Sequence, residues 1–277
     1  MKKLISLALV ASFSLSVFAT DIFDFAPING NVKSYTQTEF SITSKFGNYY
    51  RTPSSKVVHV LDETGKEIES SELSQKDTVV NKIVTTYDEE GRIQDQSCIN
   101  SDGEMIWKTS IKYKNGLKVE TSEYDERNEL RDKVIYTYDG AKLVDETGYD
   151  KEGVLAWKTL YKYNDAARVE KESNYLADGS LDNRVFFTYF EDGKTETVST
   201  FDNFSKESKK EVFRYDGKGL LTEITSYGSD NAIYKRTTIK YDSHDNVIKV
   251  SEYNIAQKFD TTVNELIAMV EYVYEYY

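Results

Sequence analysis

The chain has 277 residues, 47 acids against 35 bases, and a formal charge of −12. That balance excludes nucleic acid and anionic lipid surfaces as general partners, because a polyanion is repelled at long range. The single cysteine, Cys98, excludes an intramolecular disulfide.

Residues 1–19 read as a secretory signal peptide: Lys2 and Lys3 precede an apolar run from Leu4 to Phe18, and Val17 and Ala19 are small enough for a cleavage site. The rival reading, a membrane anchor, needs about 18 or more clean apolar residues, and serines interrupt this run. The mature chain is expected to start near Thr20, and loss of both lysines takes its charge to −14. Localisation follows as exported, either periplasmic or extracellular. No later stretch is long and apolar enough for a helical span, so no stable membrane insertion is expected after cleavage.

Residues 20–55 form an expected N-terminal capping segment. A repeat then runs from 56 to 253. Its anchors are Tyr87, Tyr113, Tyr138, Tyr163, Tyr189, Tyr215 and Tyr241, spaced 26, 25, 25, 26, 26 and 26, with Leu61 another 26 residues before the first. A second aromatic follows 11 or 12 residues later at Tyr124, Tyr149, Tyr175, Phe201, Tyr227 and Tyr253, and Cys98 and Leu73 take that place in the earliest units. Self-similarity at this period marks a repeat array.

Within each unit the hydrophobic period is two. In "WKTSIKY", Trp107, Thr109, Ile111 and Tyr113 share one face; "WKTLYKY" and "NRVFFTY" repeat the pattern. Alternation rich in β-branched and aromatic residues means strand, and "YDEEG", "YKNG" and "YDGKG" supply turns. Each unit is therefore a β-hairpin of about 26 residues. The fold class expected is all-β: tandem antiparallel hairpins, roughly nine first and nine second strands, forming an elongated, twisted or spiralled sheet.

Residues 254–277 close the chain as a C-terminal capping insertion and last strand. "EYNIAQKFD" at 252 resembles "EFSITSKFG" at 39, so both ends read as caps. Thr262 and Glu265 have capping-box spacing, which predicts one helical turn there.

The units "YDEEGRI", "YDKEGVL" and "YDGKGLL" resemble the YD repeats of the Rhs family, and "NGNVKSYTQTEF…KFG" resembles the opening of small secreted bacterial YD-repeat proteins. Large members of that family build β-shells around a C-terminal toxin. This chain has too few repeats for such a shell, so toxin delivery is not carried over. MORN-type hairpin repeats are shorter and richer in glycine.

Two features are candidates for function. A base lies five residues before every anchor, at Lys56, Lys82, Lys108, Lys133, Lys158, Arg184, Lys210 and Arg236. It reads either as a cationic track for an acidic polymer or as cross-strand charge pairing with acids such as Glu120, Glu146, Glu170 and Glu223, and pairing is favoured. The anchor face is densest in aromatics at Trp107, Tyr136, Trp157, Tyr161 and Tyr163. It reads either as a sugar-stacking platform or as a packed sheet interior, and its tyrosines are taken as mainly structural.

His59 reads as packed, His244 lies in a turn, and Cys98 has no evident base beside it. No catalytic constellation, metal or cofactor follows from these residues. Acidic turns such as "DEEG" have a local reason for aspartate without calcium. An outer-membrane barrel is disfavoured because its lipid face must be apolar. The function expected is a non-enzymatic binding or scaffold protein recognising a glycan or an envelope protein through one face. Alternatives are a carbohydrate hydrolase using turn carboxylates and a purely structural envelope component.

Overall fold

The computed structural model describes residues 22–45, 48–258 and 261–277. The expected signal peptide lies outside the described residues. A 3-10 turn at Ile22–Asp24 is followed by eighteen strands in one sheet. They are β1 (Val32–Lys45), β2 (Asn48–Leu61), β3 (Glu67–Leu73), β4 (Val79–Tyr87), β5 (Ile93–Asn100) and β6 (Met105–Lys114). Next come β7 (Leu117–Tyr124), β8 (Leu130–Asp139), β9 (Lys142–Asp150), β10 (Leu155–Tyr163), β11 (Val169–Leu176) and β12 (Leu181–Tyr189). The last are β13 (Thr195–Asp202), β14 (Ser208–Tyr215), β15 (Leu221–Tyr227), β16 (Ile233–Tyr241), β17 (Val247–Lys258) and β18 (Thr261–Tyr276). All-β hairpin architecture is therefore observed. Two compact units divide the chain: Lys82–Lys210, and 22–81 together with Glu211–Tyr277.

The turns form as their chemistry dictates. In the first of the tyrosine-anchored units, Asp88 N–H donates to Arg92 O at 2.8 Å, and the Asp88 carboxylate accepts from Arg92 N at 2.8 Å. Asp125, Asp150, Asp216 and Asp242 accept from their own turn backbone in the same way. The left-handed turn position is held by Gly91 at φ 76° and Asn128 at φ 60°, and unusually by Ala167 at φ 59°.

In the Lys82–Lys210 unit each strand pairs antiparallel with its neighbour in sequence, from β5 to β13. The register slips by one residue at Tyr113, Tyr138, Tyr163 and Tyr189. Beside each slip an anchor hydroxyl finds a carbonyl. Tyr138 donates to Lys118 O at 2.9 Å, Tyr163 to Leu143 O at 2.7 Å and Tyr189 to Val169 O at 2.6 Å. Each acceptor is the residue paired with the preceding anchor: Lys118 opposite Tyr113, Leu143 opposite Tyr138, Val169 opposite Tyr163. The tyrosines thus stitch hairpin to hairpin, each bond contributing on the order of 1 kcal/mol.

The other unit has the apolar core. Val57, Leu61, Leu221, Ile224, Val247 and Val270 are buried on the anchor side, and each such side chain contributes roughly 1.5–3 kcal/mol. The segment preceding β1 covers them. Ile22 and Ala26 are buried, Phe23 meets Tyr35 and Tyr272 edge-on, and Phe25 stacks on Phe213. Asn246 clamps Asn29, accepting from its N–H at 2.6 Å and donating to its carbonyl at 2.9 Å.

Two expectations are corrected here. The array has no open ends: β1 pairs with β2 along one edge and with β18 along the other. The strand order is that of a closed sheet, not an elongated or spiralled one, because first and last strands satisfy each other's backbone groups. Tyr277 seals the junction, its N–H donating to Asn31 O at 3.0 Å and its hydroxyl to Leu61 O at 2.8 Å. The helical turn expected at 261–266 is also absent. Those residues open β18, in register with β17 from Lys258↔Thr261 to Tyr253↔Leu266, so a partner strand overrides the local capping pattern.

Candidate functional site

Both tryptophans lie on the anchor face of the Lys82–Lys210 unit, six residues before an anchor. Trp157 stands opposite Gly148 across the β9–β10 pair. Its indole lies directly on that glycine: a Cβ there would meet Nε1 at 2.3 Å and Cε2 at 2.4 Å. Trp107 stands opposite Cys98 across β5–β6. Cys98 therefore does not occupy the second-aromatic place expected of it. Ile99, opposite Met105, matches Tyr149, opposite Leu155. A longer turn after Tyr87 shifts the count by one, and the small buried Cys98 makes room for the indole as Gly148 does.

Around Trp157 the registers assemble a polar and aromatic surface. Tyr136 stands opposite Glu146, Glu146 opposite Thr159, and Tyr161 opposite Glu172. Trp107, Tyr136, Trp157, Tyr161 and Tyr163 are all half-buried. Tyr136 shares a hydrogen bond with Thr121 at 3.2 Å. Tyr161 is held firmly neutral: burial raises its phenol, and the charges of Glu146 and Glu172 and a hydrogen bond to Glu146 raise it further. Tyr163 belongs to the hydroxyl stitching rather than to this surface. Thr159 donates to the buried Asn174 at 2.7 Å, and Asn174 passes a bond to Asn183 at 2.7 Å.

One strand pair further, Asp132 faces Glu123. Burial first, then the Glu123 charge and a hydrogen bond to it, push the Asp132 carboxyl up to about 6, with Arg131 opposing. Sequence reasoning missed this pair because both residues look like ordinary turn-flanking acids; only their register places them face to face.

The basic series lies on the opposite face, as expected, and is engaged there. Lys56 meets Asp77 at 2.8 Å, Lys108 meets Asp95 at 3.1 Å, Lys158 meets Asp145, and Arg236 meets Glu223 at 3.5 Å. Lys112–Glu120 and Lys162–Glu170 add pairs on the same face. Across five of the hairpins the base faces the second aromatic: Lys108↔Tyr124, Lys133↔Tyr149, Lys158↔Tyr175, Arg184↔Phe201 and Arg236↔Tyr253. Lys133 sits 5.8 Å over the Tyr149 ring. Lys82 and Lys210 are partnered as well. Lys56, Lys108, Lys158 and Arg236 thus form charge pairs at the sheet surface.

His59 is stacked on Tyr35 at 4.3 Å with Nδ1 2.8 Å from Glu67, and His244 lies against Tyr276. Neither approaches a metal-ligating group of three among the described residues.

No protein-family model and no curated protein matches the chain. Among solved structures, a porin-like protein from Bacteroides uniformis ATCC 8492 aligns with TM-score 0.49 and 11% identity, covering 90% of this chain and 99% of that one. A porin-like protein from Bacteroides vulgatus ATCC 8482 aligns at 0.32 and 10%, covering 88% and 98%. The TcdB2-TccC3-Cdc42 complex aligns at 0.28 and 14%, covering 84% of this chain and 15% of that chain. Similarity at this level says nothing about activity.

Proposed function

We propose that the protein is an exported, non-enzymatic binding protein whose anchor face in the Lys82–Lys210 unit recognises a glycan. The observation that carries this reading is the half-buried Trp157 indole, bedded on Gly148 on the same face of β10 as Tyr161. A fixed aromatic plane suits the apolar face of a sugar ring, and Glu146 and Glu172 on the strands either side of β10 offer hydrogen-bonding groups for hydroxyls. The signal-like N-terminus supports export.

A role in forming a lipid-embedded pore fits poorly. The face opposite the anchors carries Lys112–Glu120, Lys158–Asp145 and Lys162–Glu170, and lipid-facing charges are strongly disfavoured. Hydrolysis by the Glu123–Asp132 pair fits poorly too. They stand directly opposite one another across β7–β8, neighbours on one face of the sheet, rather than on two sides of a cleft that a glycosidic bond could enter.

The test is a glycan array with the mature protein, alongside Trp157→Ala and Trp107→Ala. Selective binding lost on Trp157→Ala supports the reading. Retained binding by both variants, or turnover of a bound polysaccharide, overturns it.

A further inference from the structure

The anchor face shows how it handles positive charge. Lys118 Nζ lies 4.2 Å over the Tyr136 ring, Lys142 Nζ 5.4 Å over Tyr163, Arg92 4.4 Å over Tyr113 and Arg168 5.5 Å over Tyr189. Four half-buried tyrosines in this unit are thus each met by a cation, an arrangement that electrostatic attraction to the ring face favours. Tyr161 differs. Among the described residues no lysine or arginine lies over it, yet Glu146 and Glu172 both bear on its phenol.

Charge is distributed unevenly between the two faces. Asp95, Glu120, Asp145 and Glu170, on the side opposite the anchors, each have a lysine. On the anchor side, Glu123, Asp132 and Glu146 make no ion pair among the described residues. Glu146 instead faces Tyr136 and Thr159 across its two neighbouring strands, and its charge raises the Tyr161 phenol. A neutral phenol ring bordered by carboxylates, one of them without a cation, is complementary to an ammonium group.

We propose, building on the glycan-binding reading, that the ligand is a glycan with unacylated amino groups, one ammonium seating over Tyr161 between Glu146 and Glu172. The stacking platform at Trp157 supplies binding common to all hexoses, and the Tyr161 subsite selects the charge.

Calorimetry with a glucosamine oligomer and its fully N-acetylated counterpart, at a pH that protonates the sugar amine, tests this. The expected result is tighter binding of the glucosamine oligomer by on the order of tenfold. Glu146→Gln combined with Glu172→Gln should bring the two ligands to parity, with circular dichroism unchanged, while Trp157→Ala weakens both. Equal affinity for the two oligomers, or a preference surviving the double variant, overturns the proposal. Oligolysine binding without glucosamine binding overturns it in favour of a cationic peptide. If only neutral glycans bind, the amino-group inference falls and the glycan reading stands; if no glycan binds, both fall.

Discussion

The Trp157 indole rests on the backbone of Gly148, so closely that a β-carbon would lie 2.3 Å from Nε1. Gly148→Ala should therefore displace the ring. Overpacking of this kind costs about 1–3 kcal/mol. Denaturant unfolding should show that loss together with shifted tryptophan emission. An alanine variant with unchanged stability and emission would mean that the indole is not seated there.

Tyr163→Phe removes the hydroxyl that reaches Leu143 O at 2.7 Å and leaves that carbonyl without the bond. The expected loss is about 0.5–1.5 kcal/mol, read as a lower denaturation midpoint at constant slope. Tyr189→Phe should behave alike, because Tyr189 makes the same bond to Val169. No loss in either variant contradicts the stitching role.

Ala167 holds a left-handed conformation, φ 59°, where most of the corresponding turns use glycine, asparagine or aspartate. Ala167→Gly should stabilise the protein by about 0.5–1 kcal/mol, since relief of strain exceeds the added unfolded-state entropy. Thermal unfolding decides it, and a lower melting point counts against the assigned turn.

Asp132 titrates near 6 when folded, against an ordinary 3.8. Its folded pKa is raised, so between those values the native state holds a proton that the unfolded chain has released. Stability attributable to this group then falls as pH rises through the window. Asp132→Asn should be more stable than the parent near neutral pH, with the difference vanishing below about pH 4. Comparing the two proteins cancels the opposite contributions of Asp88, Asp178 and Asp202, whose turn hydrogen bonds lower their pKa values. A pH-independent difference between the curves sinks the assignment.

Much of the molecule was written locally. Alternation in "WKTSIKY" and "WKTLYKY" specifies strands, aspartate and glycine after each anchor specify turns, and the 26-residue period specifies the hairpin count. The separation of aromatic and basic faces was legible for the same reason: successive side chains on a strand point to opposite sides. What the tyrosine hydroxyls do was not legible, because their acceptors lie 20 residues back. Nor was the place of Cys98, because a turn-length difference moves its register by one.

Neighbours a few positions apart were enough to specify strand, turn, repeat and face through residues 56–253. Tertiary structure alone decided which strand meets which at the ends, turning 261–266 from a helical turn into strand and bringing Tyr277 to Leu61, 216 positions away. It also decided which carboxylates meet a lysine and which, like Glu146, face an aromatic ring. Such pairings depend on register between strands, and a shift of one residue would send each of those side chains to the other face.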